Sequence, residues 1–290
     1  MCQKLYGDIR RSTLRRAGYE AVAKLRCGAG LEIVPISETS FYGQFFRNSV
    51  GSEELYFANA NADNEFVVQL QHDGTNLSVG QLVYLQLALL YTRRDGERVI
   101  RVHNLSLKVS DHLPTLFRHA SIGATCSFLT KRAAHEMLKG ELTIRKIRER
   151  IVLDTVEALF KYRKNVATKS SSGQLILPES LKLLPVYMNA FMKANAIGLN
   201  RKGGLVRFRA DARAQALHRT LSMPASLLLG ELYPRLVRLH PLDDDAKYGE
   251  RDEDTGRIKI PTSTWSSTEK VNLDGVYAVR GGVHTSVGIL

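Results

Sequence analysis

The feature that most constrains this chain is a change of hydrophobic period near Asp111. Before it, over residues 19–109, apolar residues come in short alternating runs separated by Gly, Asn and Asp clusters, the signature of half-buried strands. Beyond it they recur at helical spacing: Ile144, Ile147, Ile151 and Leu159 trace one face, and Arg145, Lys146, Arg148 and Glu149 the other. Strands in one block followed by helices in another predict segregated modules rather than βαβ alternation. No internal repeat is visible.

Within the first block the spacing predicts strands over residues 19–27, 31–36, 41–46, 65–71, 79–93 and 98–109, at intervals that suit a sandwich. The sharpest local signal is a hairpin. Two apolar-rich runs flank Asp95-Gly96, a dipeptide that tolerates positive φ, and Val99, Arg101 and His103 alternate with Ile100, Val102 and Asn104. Residues 2–16 read as a short amphipathic helix with Leu5, Ile9 and Leu14 facing inward. In the second block, helices are predicted over 144–164, 181–196, 210–221 and 224–239, the last beginning near its proline. Residues 243–256 are acidic, polar and aperiodic, a linker, after which β character returns around 258–260 and 276–279.

At 290 residues the chain has room for two or three modules, and a hydrophobic content of 44% argues against global disorder. A formal charge of +12 calls for an acidic partner, whether nucleic acid, an anionic membrane or an acidic peptide. No run approaches the ~20 apolar residues that a membrane-spanning helix needs. Cys2, Cys27 and Cys126 form no C-x-x-C pair and read as reduced thiols, the last two as small buried hydrophobes.

Chemistry-bearing motifs are absent. No dinucleotide or phosphate-loop glycine pattern, no H-E-x-x-H and no G-x-S-x-G occurs, and Arg201-Lys202-Gly203-Gly204 lacks the spacing of a phosphate cradle. His112, His119 and His135 have no cysteine or carboxylate at ligand spacing, so they read as surface or capped histidines, and no metal site is expected. The acidic run Asp243-Asp244-Asp245 reads as solvated linker. The basic helix at 144–164 has too continuous an apolar face to be a free nucleic-acid arm, and no aromatics are interleaved for base stacking.

Lys24 and Arg26 lie two apart on a predicted strand, so both point to one face, roughly 7 Å apart, together with Glu20 and Val22. Such a pair can hold two carboxylates, the arginine as a bidentate fork and the lysine as a point charge. A solvated edge strand with ordinary surface charge is the competing reading.

Three segments in order carry a family resemblance. The hairpin wording Ala88-Leu89-Leu90-Tyr91-Thr92 with Gly96-Glu97-Arg98-Val99-Ile100-Arg101-Val102-His103 resembles the β-sandwich of the Sec-twenty-four family, the cargo-adaptor subunit of the COPII inner coat. Gly18-Tyr19-Glu20-Ala21-Val22, with Leu25-Arg26-Cys27 and Gly30-Leu31, is similar to a second family strand, and Phe41-Tyr42-Gly43-Gln44-Phe45-Phe46 to a third. Weaker likenesses follow at Leu183-Leu184-Pro185-Val186-Tyr187, Leu232-Tyr233-Pro234 and Asp274-Gly275-Val276-Tyr277.

The resemblance implies a multidomain α+β chain: the end of a trunk-like segment at 1–16, a β-sandwich at 17–109, an all-α helical domain at 110–240, and a linker with the start of a gelsolin-like α/β module at 241–290. It implies a non-catalytic coat component that selects cargo for ER-to-Golgi transport by binding export signals on cytosolic tails. The implied partners are the GTPase-activating sister subunit, the small coat GTPase, acidic export signals and the anionic ER membrane, with no nucleic acid. The implied location is cytoplasmic, peripheral on ER exit sites and vesicles. The family's four-cysteine zinc module would lie upstream of Met1, so no cofactor is expected here.

For site residues, the family reads Arg-x-Arg where this chain has Lys24 and Arg26, in a basic pocket for acidic signals. Phe46 matches the second phenylalanine of a family "F-F-x-R-S" cargo surface, but Asn48 stands at the arginine position and the arginine has moved to Arg47. A one-residue shift turns a strand side chain to the opposite face, so Arg47 does not replace it by default. Phe45, Leu89 and Leu90 read as core. The rival readings are the sister GTPase-activating subunit, which shares the architecture, and a basic nucleic-acid-binding protein.

Overall fold

The computed structural model describes residues 2–34, 40–47, 54–62, 64–167, 171, 174–198 and 210–232. The expected linker, the gelsolin-like opening, the Arg201–Gly204 loop and the second half of the helix predicted at 224–239 lie outside them.

Among the described residues the first module has eight strands: β1 (Ala17–Cys27), β2 (Glu32–Ile33), β3 (Phe41–Tyr42), β4 (Glu54–Asn61), β5 (Val67–Val68), β6 (Leu70–Gln71), β7 (Leu82–Thr92) and β8 (Arg98–Lys108). β4, β1, β7 and β8 form one antiparallel sheet in that order, while β2 pairs with β6 and β3 with β5. Alternation builds the core. Ala23 on β1, Leu55 on β4 and Phe41 on β3 are buried together, with Leu87 and Leu89 of β7, Phe57 of β4 and Ile33, Phe45, Phe66 and Val68 packed around them. Phe45 is thus core-packed, as expected, and Leu89 with it. Leu90 is not, because the next residue on a strand turns to the other face.

The hairpin between β7 and β8 forms with a three-residue loop. Arg93 and Glu97 close it through a backbone bond of 2.8 Å, and of Asp95 and Gly96 only the glycine takes positive φ, at +86°. Asp95 serves instead through its side chain, which accepts from the Glu97 N–H at 3.2 Å. This is the type I turn with a bulge glycine rather than the two-residue primed turn. Several other expected strands contract. The run at 41–46 is regular only at Phe41–Tyr42, with one isolated bridge from Phe46 to Tyr56, and the run at 65–71 splits in two. The strand at Glu54–Asn61 has no counterpart among the sequence expectations.

The second module is helical: α2 (Leu113–His119), α3 (Ile122–Lys139), α4 (Ile144–Asn165), α5 (Leu184–Lys193), α6 (Ala210–Ser222) and α7 (Ala225–Leu232), following α1 (Cys2–Leu14) at the start of the chain. Ser121 caps α3 by accepting from the Ala124 N–H, Thr143 caps α4 from the Lys146 N–H, and Gly140 ends α3 at φ +70°. The helix expected over 181–196 is interrupted. Glu179–Leu181 is a single 3-10 turn, and α5 restarts at Leu184-Pro185 because proline suits the first turn of a helix and not its interior. Cys126, Ile147, Ile151, Leu181, Leu184, Met188 and Phe191 are buried among the helices, so Cys126 is the expected small hydrophobe, with burial pushing its thiol above the usual range. Cys27 is only half-buried.

In α1 the expected inward face is exposed: Leu5, Ile9 and Leu14 all present more than half their area to solvent. His135 also departs from its surface reading. Its ring stands 5.7 Å from Tyr42 in an edge arrangement, its Nε2 is buried without a partner, and burial, then the Lys139 charge, lower its pKa; Glu141 opposes them, and Arg47 adds the smallest lowering. A histidine lowered on folding binds fewer protons folded than unfolded, so stability is expected to fall as pH drops through the imidazole range. Urea unfolding should show this acid sensitivity reduced in His135→Phe.

Candidate functional site

The register of the four-stranded sheet decides which side chains share a face. Val22, Lys24 and Arg26 of β1 pair with Leu90, Ala88 and Gln86 of β7, and these with Ile100, Val102 and Asn104 of β8. On the other side Lys24 pairs with Glu54 and Val22 with Tyr56, and Tyr56 bridges to Phe46. Cross-strand partners point the same way. Lys24, Arg26 and Phe46 therefore lie on one face, opposite the core, along with Tyr84 and Leu82. Spacing along the chain predicts the first two as neighbours. The third joins them only through the Phe46–Tyr56 bridge, which is a nonlocal pairing.

β1 is an interior strand, not the edge strand of the competing reading. Its two cations are engaged by protein groups. Lys24 Nζ lies 3.8 Å from Glu54 Oε1, and the Tyr56 hydroxyl donates to Glu54 Oε2 at 2.7 Å. Arg26 Nη1 donates to Gln86 Oε1 at 3.3 Å, and Gln86 Nε2 to Asn104 Oδ1 at 3.1 Å, a polar row across three strands. Phe46 is 71% exposed, whereas its neighbour Arg47 turns back onto the core rings of Phe41 and Phe45. That is the face reversal expected of a one-residue shift.

Glu20 departs from simple alternation. It sits at φ +49° where the β1–β7 register slips between Tyr19 and Val22, a bulge, and its carboxylate accepts from Arg98 Nη1 at 3.2 Å. Close packing next to the bulge needs Gly18, since a Cβ there would come within 2.5 Å of the Tyr91 ring. The surface that results combines two cations, each with a hydrogen-bonding or ionic neighbour, and exposed apolar groups at Phe46, Tyr84, Ile100 and Val102. Such a surface suits an extended segment carrying carboxylates and apolar side chains. Glu54, Gln86 and Asn104 were invisible as site neighbours in the sequence, because only strand pairing places them.

Among the described residues, no three His, Cys, Asp or Glu side chains converge as metal ligands, and no helix is long and apolar enough to cross a membrane.

Residues 18–110 match the Sec23/Sec24 beta-sandwich domain and residues 122–230 the Sec23/Sec24 helical domain. The chain is 34% identical over 279 residues to the protein transport protein SEC24 B of Arabidopsis thaliana, covering 96% of this chain and 23% of that one. It is 30% identical over 282 residues to the human protein transport protein Sec24D, covering 97% of this chain and 25% of the relative. The crystal structure of the human COPII-coat protein Sec24c superposes with a TM-score of 0.69 at 29% identity, over 84% of this chain and 30% of that chain. The chain thus spans about a quarter of the length of the relatives it matches. With both domains present in the same order as the strand block and the helix block, the chain belongs to the Sec23/Sec24 family.

Proposed function

We propose that this chain serves in a COPII coat, where it selects cargo for ER-to-Golgi transport by binding acidic export signals on the cytosolic tails of membrane proteins. Lys24 and Arg26 are the residues that would hold the carboxylates, with Phe46 as an apolar contact on the same face. The observation that carries the reading is this co-facing pair of cations on the sandwich of a Sec24-like chain. The role is binding, not catalysis. The partners that go with it are the GTPase-activating sister subunit, the small coat GTPase and, peripherally, the anionic ER membrane, at ER exit sites in the cytoplasm. Zinc or another cofactor has no part in this surface.

The pairing of Lys24 with Glu54 sharpens the test, because Glu54 is an internal competitor for any ligand carboxylate. Each exposed charge-assisted contact is worth on the order of 1 kcal/mol and weakens with salt. A di-acidic tail peptide titrated into the protein should bind ~10-fold more weakly after Lys24→Ala and Arg26→Ala together, which is about 1.4 kcal/mol. Glu54→Gln should strengthen binding, and both effects should shrink as salt rises. A double variant that binds as well as the parent would return these two cations to the role of ordinary surface charge.

A further inference from the structure

Arg47 is a cation set against aromatic rings. Its guanidinium carbon lies 4.8 Å from the centroid of the Phe41 ring and 5.7 Å from that of Phe45, so the group is held against two rings at the margin of the sandwich core. Both Nε and Nη2 are buried with no hydrogen-bond partner. These two nitrogens form one edge of the guanidinium, the side-on fork whose parallel N–H bonds match the two oxygens of a carboxylate. Buried polar groups are paired in the great majority of cases, and an unpaired buried charge is costly. The rings of Phe41 and Phe45 flank the guanidinium while its Nε–Nη2 edge has no partner.

We propose that the Arg47 fork is a binding site for a single carboxylate, supplied by a ligand from outside the described residues. A monoanion fits better than a phosphate dianion, for two reasons. The fork offers one positive charge and two parallel donors, and His135, which feels the Arg47 charge, has its pKa lowered mainly by burial and then by Lys139, so it adds no second cation at neutral pH. Arg47 as a whole is half-buried, so the fork lies close beneath the surface. Burial lowers the guanidinium pKa, and a bound carboxylate would offset that cost. The site is separate from Lys24 and Arg26, which lie on the opposite face of the sandwich sheet from the Phe41 core.

His135 provides a second readout. Arg47 depresses its pKa, so a carboxylate that neutralises Arg47 should raise it. The test follows the arginine Nε–H resonances and the His135 ring in the isotope-labelled protein during titration with sodium acetate. Sodium chloride and sodium phosphate at matched ionic strength are the controls, and Arg47→Lys identifies the resonance. Acetate should shift the Arg47 Nε–H saturably and raise the His135 midpoint, with phosphate weaker by about tenfold. In Arg47→Lys, which keeps the charge but not the fork, the His135 response to acetate should be lost. Phe45→Leu, which removes one ring of the platform, should weaken it. An Nε–H that responds to acetate no more than to chloride would overturn the proposal and leave a buried water as the occupant. Equal responses to acetate and phosphate would overturn its carboxylate selectivity.

Discussion

Replacing Lys131 by alanine is expected to destabilise the protein by about 3–5 kcal/mol, the scale seen when one member of a buried charged network is removed. Lys131 is wholly buried, yet it lies in the middle of α3. Its ammonium donates to the carbonyls of Thr220 and Leu221 in the last turn of α6, at 3.1 Å each, and of Met223 just beyond it, at 2.7 Å. A helix leaves its last carbonyls without internal partners, and here a single side chain serves two of them and the Met223 carbonyl that follows.

The counter-charge comes from the sandwich. Glu65 Oε1 lies 3.9 Å from Lys131 Nζ and accepts from the Ser127 hydroxyl, Glu65 Oε2 accepts from the Ala225 N–H at 3.1 Å, and the Glu65 N–H donates to the Ser222 carbonyl at 2.9 Å. Loss of Lys131 therefore takes the shared donor from three carbonyls and the cation from beside Glu65, which keeps its bonds from Ser127 and Ala225. Lys131→Met, which keeps most of the volume, separates the polar loss from the cavity. Chemical denaturation of parent, Ala and Met variants measures both; a Met variant as stable as the parent would show that the network contributes little.

The same lysine gives the stability a predicted pH dependence. Burial lowers its pKa to about 8 from 10.5, with Glu65 opposing part of the shift. The folded state thus binds fewer protons than the unfolded state between those values, and stability rises with pH across that window. The shift would be worth on the order of 3 kcal/mol. Across the window the parent should gain stability relative to Lys131→Met, which lacks the titrating group. A gap that narrows instead would contradict this assignment.

Lys131 also marks where sequence reading stops. A lysine within a helix reads as solvated by default, and nothing local reveals that the end of α6 lies above it. The strand block and the helix block were legible because each repeats a period over many residues. The hairpin was legible because Asp95-Gly96 and its flanking alternation are local. β4 was not, although Leu55 and Phe57 alternate, since its pairing with Ala23 and Ala21 of β1 is what completes it. Lys24 and Arg26 could be read as a pair from an i, i+2 spacing. Their engagement by Glu54 and Gln86 required the neighbouring strands, as did the recruitment of Phe46 to their face. Leu5, Ile9 and Leu14 show the converse: an amphipathic pattern names the face that could be buried, but not whether anything covers it.

The two phenylalanines Phe41 and Phe46, five residues apart, should respond in opposite ways to the same substitution. Phe41→Ala is expected to destabilise by about 3–5 kcal/mol, the range for truncating a buried aromatic. Phe41 is 1% exposed, packs with Ala23 and Leu55, meets the Phe45 ring edge-on at 6.4 Å and supports the Arg47 guanidinium. Truncation would remove transfer energy, open a cavity and take away one ring of the platform beneath a buried cation. Phe46→Ala touches none of this. Its ring is 71% exposed on the opposite face, and its backbone bridge to Tyr56 does not depend on the side chain. A change within about 0.5 kcal/mol is expected, as for surface positions without special contacts. Thermal and urea unfolding of the two variants measures stability, and titration with an acidic, apolar-containing tail peptide measures binding. If Phe46 serves the binding face, Phe46→Ala should weaken the peptide while leaving unfolding unchanged. A Phe46→Ala variant that unfolds as readily as Phe41→Ala would place that ring in the core and remove it from the candidate surface.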